Sequence, residues 1–398
     1  MSKVLLKDIL ESEFRANPAY RLVLFDRLPP EQREPLRDLT KDPDFYGVLV
    51  PGEGCARKIK SVCRETALLL YTLQQPGCLP EYVRAAHGDE CNQAVAELVL
   101  DEVLEIHREG RFVCGSEAFD LIYGERESAG AQGTLPRLAQ AALEYAQRLD
   151  IDDSGKLSAR LYFYNRAPLT PSWKRRLPTS DAVAAYLGIE SGGATSRILE
   201  GGWRRTKPSS QFDGWFHWQS RIEKMPEAEV RQSYKLYVSP RPELTGDAFR
   251  CVAEILADSP AFHFKVGYDA AGLLRPDKIV IYFSNFEALR ETADRIARRL
   301  EGCAAQGVPF TAAIGEDALL SWGADPLPGK GMLSWQERES WRLWITNRLA
   351  TSLLVAKSAP NGGLEPWQFA LERLRLDNVD IDTWTPLAAF GQPAAAGS

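Results

Sequence analysis

The second half of the chain alternates between short strand-like stretches and longer helical ones, and this alternation constrains the fold more than any other feature. YKLYVSP at 234–240 is strand-like, and a helical pattern follows it. FHFKVGY at 262–268 and DKIVIYF at 277–283 are again strand-like, and a second helical pattern covers 286–302. Apolar residues recur at every second position in the strands and every third or fourth in the helices. The pattern predicts helices packed against a sheet, an α+β or mixed α/β arrangement.

The first part of the chain has a different pattern. Helical spacing covers 57–75, 79–86 and 92–107, and RFVCG at 111–115 reads as a short strand. Three helices followed by a small β element are typical of a winged helix-turn-helix. The third helix is acidic and would repel nucleic-acid phosphates. Its acidic residues are Glu97, Asp101, Glu102 and Glu105.

Taken together, these N-terminal elements resemble the winged-helix peptide-recognition domains of enzymes that modify ribosomally made peptides. The resemblance covers about 40–125 and implies a leader peptide that adds as a strand beside the wing. The alternative is a helical cap with no partner. We therefore predict an α+β protein with two domains, 1–155 helical and winged-helix-like, and 156–398 mixed α/β.

At the predicted boundary near residue 155 the secondary-structure pattern of the sequence changes. A helix is expected over 136–149, a strand over 159–170 and a short helix over 181–188, whereas SGGATS at 191–196 has the composition of a loop.

Composition restricts the class of protein. The 398 residues carry a formal net charge of −6, which argues against general affinity for nucleic acid. The N-terminus has no secretory pattern and no apolar run approaches the ~20 residues of a membrane helix, which predicts a cytoplasmic protein with no membrane partner. Seven cysteines without a Cys-x-x-Cys pair, and only four histidines, predict reduced thiols and no metal site.

Polar residues follow a period of two in the predicted strands. Lys235 and Tyr237 share one strand face, and His263 and Lys265 share another. If these two strands are adjacent, their cations converge on one groove that Arg275 can join. Several cations facing one groove indicate an anionic ligand, and phosphate is the commonest. Further candidates are His217 of WFHWQSR and, on a Trp-rich helix, Arg338, Arg342 and Arg348.

The stretches YKLYVSP, FKVGY and RPDKIVIYF, in this order and with a helix between the first two, resemble the phosphothreonine-lyase superfamily. The nearer likeness is to its HopA-type effector-like branch, whose members also serve in peptide natural-product pathways of the lanthipeptide kind. The resemblance covers about 160–350. It implies a lyase-like domain that eliminates phosphate from phosphoserine or phosphothreonine, leaves a dehydroamino acid and needs no metal or other cofactor.

The resemblance also implies roles for individual residues. Lys265 falls at the general base that removes the Cα proton, and Lys235 at a lysine that helps to hold phosphate and polarise the carbonyl. Arg275 lies near a phosphate-binding arginine, and Arg338 and Arg342 are candidates for a later one. A lysine must lose its proton to act as a base, which neighbouring cations and partial burial favour.

One position departs from the family pattern. Where the effector lyases have Lys-x-His, with the histidine as general acid, this chain has Lys235-Leu236-Tyr237. Tyr237, His263 or His217 could supply the proton instead. The departure could also mean that the domain binds a phosphopeptide without cleaving it.

Three functional hypotheses follow. The first is a lyase acting on a precursor peptide that a separate kinase has phosphorylated, since no kinase loop is visible in this chain. The second is a non-catalytic phosphopeptide- or leader-peptide-binding module that recruits other enzymes. The third is an effector-like protein acting on a host target, which the apolar, periodic N-terminus disfavours.

Overall fold

The computed structural model describes residues 6–52, 57–124, 132–206, 214–222, 233–326, 339–358 and 364–387. The protein is a mixed α+β structure with several antiparallel sheets. None of the helices in these ranges combines the length and apolar character needed to cross a membrane.

A seven-stranded antiparallel sheet forms the centre of the second half, in the order β12-β13-β9-β11-β10-β8-β7. In chain order its strands are β7 Trp203–Thr206, β8 Trp215–Ser220, β9 Tyr234–Val238, β10 His263–Gly267, β11 Ile279–Phe283, β12 Ala312–Ile314 and β13 Leu320–Ala324. Strand, helix and strand therefore alternate as the sequence predicts. The polar and apolar sets separate onto opposite faces because neighbouring side chains of a strand point in opposite directions.

Helices cover the apolar face of this sheet. Leu236, Phe264 and Ile281 from three adjacent strands pack with Phe249 and Leu289 from two of the helices. All five side chains are fully buried. The helices on and around the sheet are α8 Pro171–Arg176, α9 Ser180–Leu187, α10 Ala194–Leu199, α11 Thr245–Leu256, α12 Ala270–Leu273 and α13 Phe286–Arg299. The predicted loop at 191–196 thus already contains the start of α10.

The N-terminal part contains two three-stranded antiparallel sheets, β1-β5-β6 and β2-β3-β4. Its strands are β1 Phe14–Ala16, β2 Tyr20–Leu24, β3 Phe45–Pro51, β4 Lys60–Cys63, β5 Leu104–Arg108 and β6 Arg111–Val113. Its helices are α1 Pro30–Arg33, α2 Arg64–Thr72, α3 Glu81–His87, α4 Cys91–Leu100 and α5 Phe119–Ile122. Three helices followed by the β5-β6 hairpin match the predicted order, and the winged-helix assignment stays a prediction.

Two of the predicted N-terminal helices are too long. The helix expected over 92–107 ends at Leu100, because Glu102 has a φ of 59° and the following residues pair as β5 with β1. The helix expected over 57–75 begins only at Arg64, after strand β4. In both cases strand pairing, of β5 with β1 and of β4 with β3, overrides the local helical spacing.

The strand expected over 159–170 is also wrong. Residues Ser154–Tyr162 form helix α7, whose first turn is capped by the Asp153 carboxylate, which accepts a hydrogen bond from the Lys156 amide. Leu157 and Leu161, one turn apart, are fully buried. Capping and i,i+4 packing therefore decide the structure where the aromatic residues suggest a strand.

The C-terminal helices pack against both halves of the chain. They are α14 Trp341–Ser358 and α15 Pro366–Leu376, followed by the small strands β14 Val379–Asp380 and β15 Thr385–Pro386. Val355 and Phe369 join the N-terminal core, whereas Leu353 and Ala370 pack with helix α6, Thr134–Gln147. The predicted boundary near residue 155 falls at the start of α7, and the division into 1–155 and 156–398 stays a prediction.

Glu97 makes this N-terminal to C-terminal contact sensitive to pH. It lies on α4 beside Arg373 of α15, and burial raises the pKa of its carboxyl from 4.5 to about 7. Because the folded-state pKa is above the unfolded one, this group's contribution to stability is complete below about pH 4.5 and is lost as the pH rises through 7.

We expect Glu97→Gln to remove this dependence. The variant's free energy of unfolding should rise relative to that of the wild type as the pH increases. From about pH 5 to about pH 8 this difference should grow by on the order of 2 kcal/mol. Urea denaturation at several pH values measures the difference, with the exposed Glu65→Gln as the control. A difference that does not change with pH would contradict the assignment.

Candidate active site on the polar face of the central sheet

Strand register aligns polar side chains on the face opposite the apolar core. Two cross-strand rows lie next to each other on this face. From β9 to β8, the first row is Lys235, Tyr282, His263 and Gln219, and the second is Tyr237, Val280, Lys265 and His217. The predicted face assignments for Lys235 with Tyr237, and for His263 with Lys265, are therefore confirmed.

The expectation that the two lysine-bearing strands are adjacent is wrong. Strand β11 lies between β9 and β10 and pairs with both. Its Tyr282 ring fills the space between the lysines, with Lys235 Nζ 5.2 Å and Lys265 Nζ 5.9 Å from the ring centroid. The lysines still lie on the same face of the sheet, but an aromatic ring separates them.

Trp215 brings a lysine and an arginine together. The Nζ of Lys265 lies 4.3 Å, and the guanidinium carbon of Arg275 4.6 Å, from the centroid of the Trp215 ring. A cation over an indole face is attracted by the ring quadrupole, so this tryptophan stabilises two positive charges in one place. Lys265 and Arg275 are both half-buried, and the Arg275 side chain is 17% exposed.

Asp277 holds two arginines. Its carboxylate accepts from Arg275 Nε at 2.8 Å and Nη2 at 2.9 Å, and Arg342 Nη1 lies 2.8 Å from Asp277 Oδ2. Burial alone would raise the pKa of Asp277, but the two guanidinium groups outweigh it and hold that pKa well below its usual range. Arg342 also donates to the carbonyl of Tyr162, which connects α14 to α7.

A glycine lets α14 lie close to the sheet. Gly323 stands opposite Lys235 on the polar face, and a Cβ at this position would overlap the ring of Trp341. Trp341 donates from Nε1 to the carbonyl of Phe310 at 2.9 Å. The next residue, Arg342, is thereby directed toward Asp277.

Two buried cations of the site are paired with carboxylates. Lys235 is 6% exposed and its Nζ lies 2.6 Å from Asp325 Oδ2. Arg342 is 1% exposed and bound to Asp277. A carboxylate therefore compensates each of these two cations, which reduces the cost of removing its charge from water.

The remaining predicted residues lie in different surroundings. Tyr237 is 3% exposed, and burial raises the pKa of its phenol well above 10.0. Arg348 faces away from the site, pairs with Glu339 and Asp377, and packs on Trp344. Arg338 lies outside the described residues.

The two histidines contact each other. His217 Nδ1 is 3.2 Å from His263 Nε2, and the rings are stacked at 26° with centroids 5.3 Å apart. His263 also packs on Tyr282, at a centroid distance of 4.8 Å. His217 is directly opposite Lys265 in the β8-β10 register.

Sequence reasoning missed the residues that organise the site. Asp277 and Lys278 lie within the quoted RPDK stretch, so a local signal for them was available. Lys278 is fully buried and donates to the Pro240 carbonyl at 2.7 Å, and burial lowers the pKa of its ammonium to about 7. Asp325 and Trp215 carry no local signal, because their partners are distant in sequence.

The described residues contain no group of three or more His, Cys, Asp or Glu side chains arranged to hold a metal ion. What the arrangement offers is acid–base and electrostatic chemistry: a half-buried amine, a guanidinium directed by a carboxylate, and a hydrogen-bonded imidazole pair. These groups can bind a dianion and move protons beside it.

No protein-family model matches the chain, and no curated protein is similar enough to count as a match. Solved structures do match. An effector protein from Pseudomonas syringae pv. tomato strain DC3000 is 12% identical, with a TM-score of 0.41 over 62% of this chain and 98% of the effector. An effector from Pseudomonas syringae pv. syringae strain 61 is 12% identical, with a TM-score of 0.40 over 65% and 100%.

The phosphothreonine lyase OspF from Shigella flexneri also matches. It is 14% identical, with a TM-score of 0.27 over 48% of this chain and 90% of OspF. At these identities and scores the similarities are distant, and no family membership follows from them.

We expect Asp277→Asn to destabilise the protein by about 3–5 kcal/mol, because it removes the partner of two arginines and leaves their charges buried and uncompensated. Chemical denaturation at neutral pH measures this loss. Asp247→Asn is the matched control, since Asp247 pairs with Arg250 on an exposed helix surface and should change stability by less than about 0.5 kcal/mol. Equal effects in the two variants would show that Asp277 does not organise the site.

Proposed function

We propose that this protein is a metal-independent carbon–oxygen lyase that eliminates phosphate from phosphoserine or phosphothreonine in a precursor peptide. The product is a dehydroalanine or dehydrobutyrine residue. The observation that carries the proposal is that Lys265 and Arg275 both contact the ring of Trp215 beside the polar face of the central sheet. This arrangement places a base candidate beside an anion-binding group.

In this proposal Arg275 binds the phosphate. Its Nε and Nη2 are engaged by Asp277, so Nη1 points away from that carboxylate and can donate to a phosphate oxygen. Charge-assisted hydrogen bonds of this kind strengthen as charge develops on the leaving group. Arg342 is too deeply buried to reach a ligand, and we assign it to positioning Arg275 through their shared carboxylate.

Lys265 is the proposed general base. Its neutral amine removes the Cα proton, the C–H electrons form the Cα–Cβ double bond, and the Cβ–O bond breaks with its electrons moving to the phosphate oxygen. Lys235 lies on the other side of Tyr282 and adds positive potential to the groove, oriented by Asp325. Arg338, outside the described residues, stays a candidate for a further phosphate contact.

The substrate is proposed to be phosphorylated by a separate kinase and held through its leader by the N-terminal part of the chain. Among the described residues, β6 pairs only with β5, so its outer edge is open to an added strand. An extended peptide could pair there through its main chain, which is a common mode of peptide recognition.

A second candidate function is phosphopeptide binding without chemistry. The observation that favours it is the pairing of Lys235 and Arg275 with carboxylates, together with a buried tyrosine at the position where the lyases have a histidine. Such a module would keep affinity for phosphopeptide and recruit other enzymes. The two candidates differ in the outcome of one experiment.

We expect the wild type to convert a phosphoserine or phosphothreonine peptide to a product ~98 Da lighter, the loss of phosphoric acid. Lys265→Ala should lower kcat by about 10²–10⁴-fold, because the base for the Cα proton is removed. Mass spectrometry of the peptide measures conversion, and a parallel sample with chelator tests the metal independence. Lys174→Ala, an exposed lysine on α8, is the matched control and should keep full activity.

Binding of the same fluorescently labelled peptide separates the alternatives. Wild-type binding without conversion would establish the recruitment function in place of the lyase. Conversion that survives Lys265→Ala would show that another group is the base. Loss of both activity and binding only in Arg275→Gln, with Arg290→Gln unchanged, would support the assigned phosphate contact.

A further inference from the structure

The contact between His217 and His263 limits the number of protons that the two rings can hold. At 3.2 Å, Nδ1 of His217 and Nε2 of His263 are within hydrogen-bond distance, so one nitrogen must donate and the other accept. Two imidazolium rings would direct two N–H groups at each other. One proton therefore lies between the two facing nitrogens, and the hydrogen bond joins the rings into one unit.

The surroundings of this pair place it beside the proposed base. Lys265 lies directly across from His217 on the neighbouring strand. The other titratable or charged groups that face the pair on the described strands are Tyr282 on β11 and Arg204 on β7, whose Nη2 donates to Gln219. Lys235, beyond Tyr282, is compensated by Asp325.

Like charges at neighbouring positions disfavour each other. A protonated imidazole pair and a protonated Lys265 would be two such charges, because His217 and Lys265 lie directly across from each other. A base that is neutral and an acid that is charged are the states that an elimination needs at its start.

We propose that His217 and His263 act as one proton-donating dyad that replaces the histidine expected at the position of Tyr237. This inference rests on the proposed lyase function. As the Cβ–O bond breaks, the dyad gives its single proton to the departing phosphate oxygen, while Lys265 receives the Cα proton. The products are the dehydro residue and hydrogen phosphate, and the enzyme returns to its initial state by exchanging one proton in each direction with water.

Tyr237 is poorly placed for the same role. It is almost completely buried, and its cross-strand neighbours are Val280 on β11 and Ser321 on β13. The two histidines are half-buried, and His217 lies directly across from Lys265 with its Nε2 buried. The histidines of this chain thus lie on β8 and β10, whereas the resemblance implies a histidine on β9 at the position of Tyr237.

If the two histidines act as a dyad, the losses in kcat from substituting them should not add, whereas losses at two independent residues would. His217→Gln, His263→Gln and the double variant should each lose about 10²–10³-fold in kcat, with the double no worse than either single, because the proton belongs to the pair. The variants should also lose the alkaline limb of the pH–rate profile, where the wild type loses the donated proton. His107→Gln, an exposed histidine on β5, is the control and should leave kcat and the profile unchanged.

A second measurement needs no activity. Nitrogen-15 NMR of the histidine rings should show His217 and His263 taking up one proton between them as the pH is lowered. Two independent protonations, additive losses in kcat, or an unchanged alkaline limb would overturn the dyad. If the wild type eliminates no phosphate, the lyase proposal fails, and the NMR titration still decides whether the two rings share a proton.

Discussion

The buried carboxylate of Asp277 is the interaction on which the rest of the site depends. It connects the sheet to the helices. On the sheet side it pairs with Arg275, just before strand β11, and on the helical side it contacts Arg342 of α14 and Tyr162 of α7. Two guanidinium groups around one carboxylate leave the cluster with a net positive charge. Each guanidinium still contacts the carboxylate, which lowers the free-energy cost of burying the cluster. The accessible end of Arg275 is therefore fixed in direction before any ligand arrives, and pre-organisation of this kind lowers the cost of binding an anion.

The sequence predicts the faces of the strands but not their order. Alternation within each strand is a local property, so the shared face of Lys235 with Tyr237, and of His263 with Lys265, follows from the period of two. Strand order depends on pairing between distant segments, which is why the insertion of β11 between β9 and β10 could not be read from the same residues. The consequence is chemical, since Tyr282 stands between two lysines that were expected to be neighbours.

Other differences have the same origin. The strand expected over 159–170 overlaps helix α7, because the Asp153 cap and the leucines one turn apart decide for a helix. The compensating carboxylate Asp325 belongs to strand β13, some 90 residues after Lys235, so only the folded chain brings them together. Asp277 is the exception, since it stands two residues after Arg275 and could have been identified as its partner.

The account makes one central claim, that the groove breaks a carbon–oxygen bond and not a phosphorus–oxygen bond. Incubation of the phosphopeptide in water enriched in oxygen-18 tests it most directly. Elimination predicts inorganic phosphate without the heavy isotope and a peptide containing a double bond, because the bridging oxygen leaves with the phosphate. Heavy oxygen in the phosphate, together with a restored serine or threonine, would contradict the claim and identify the reaction as hydrolysis.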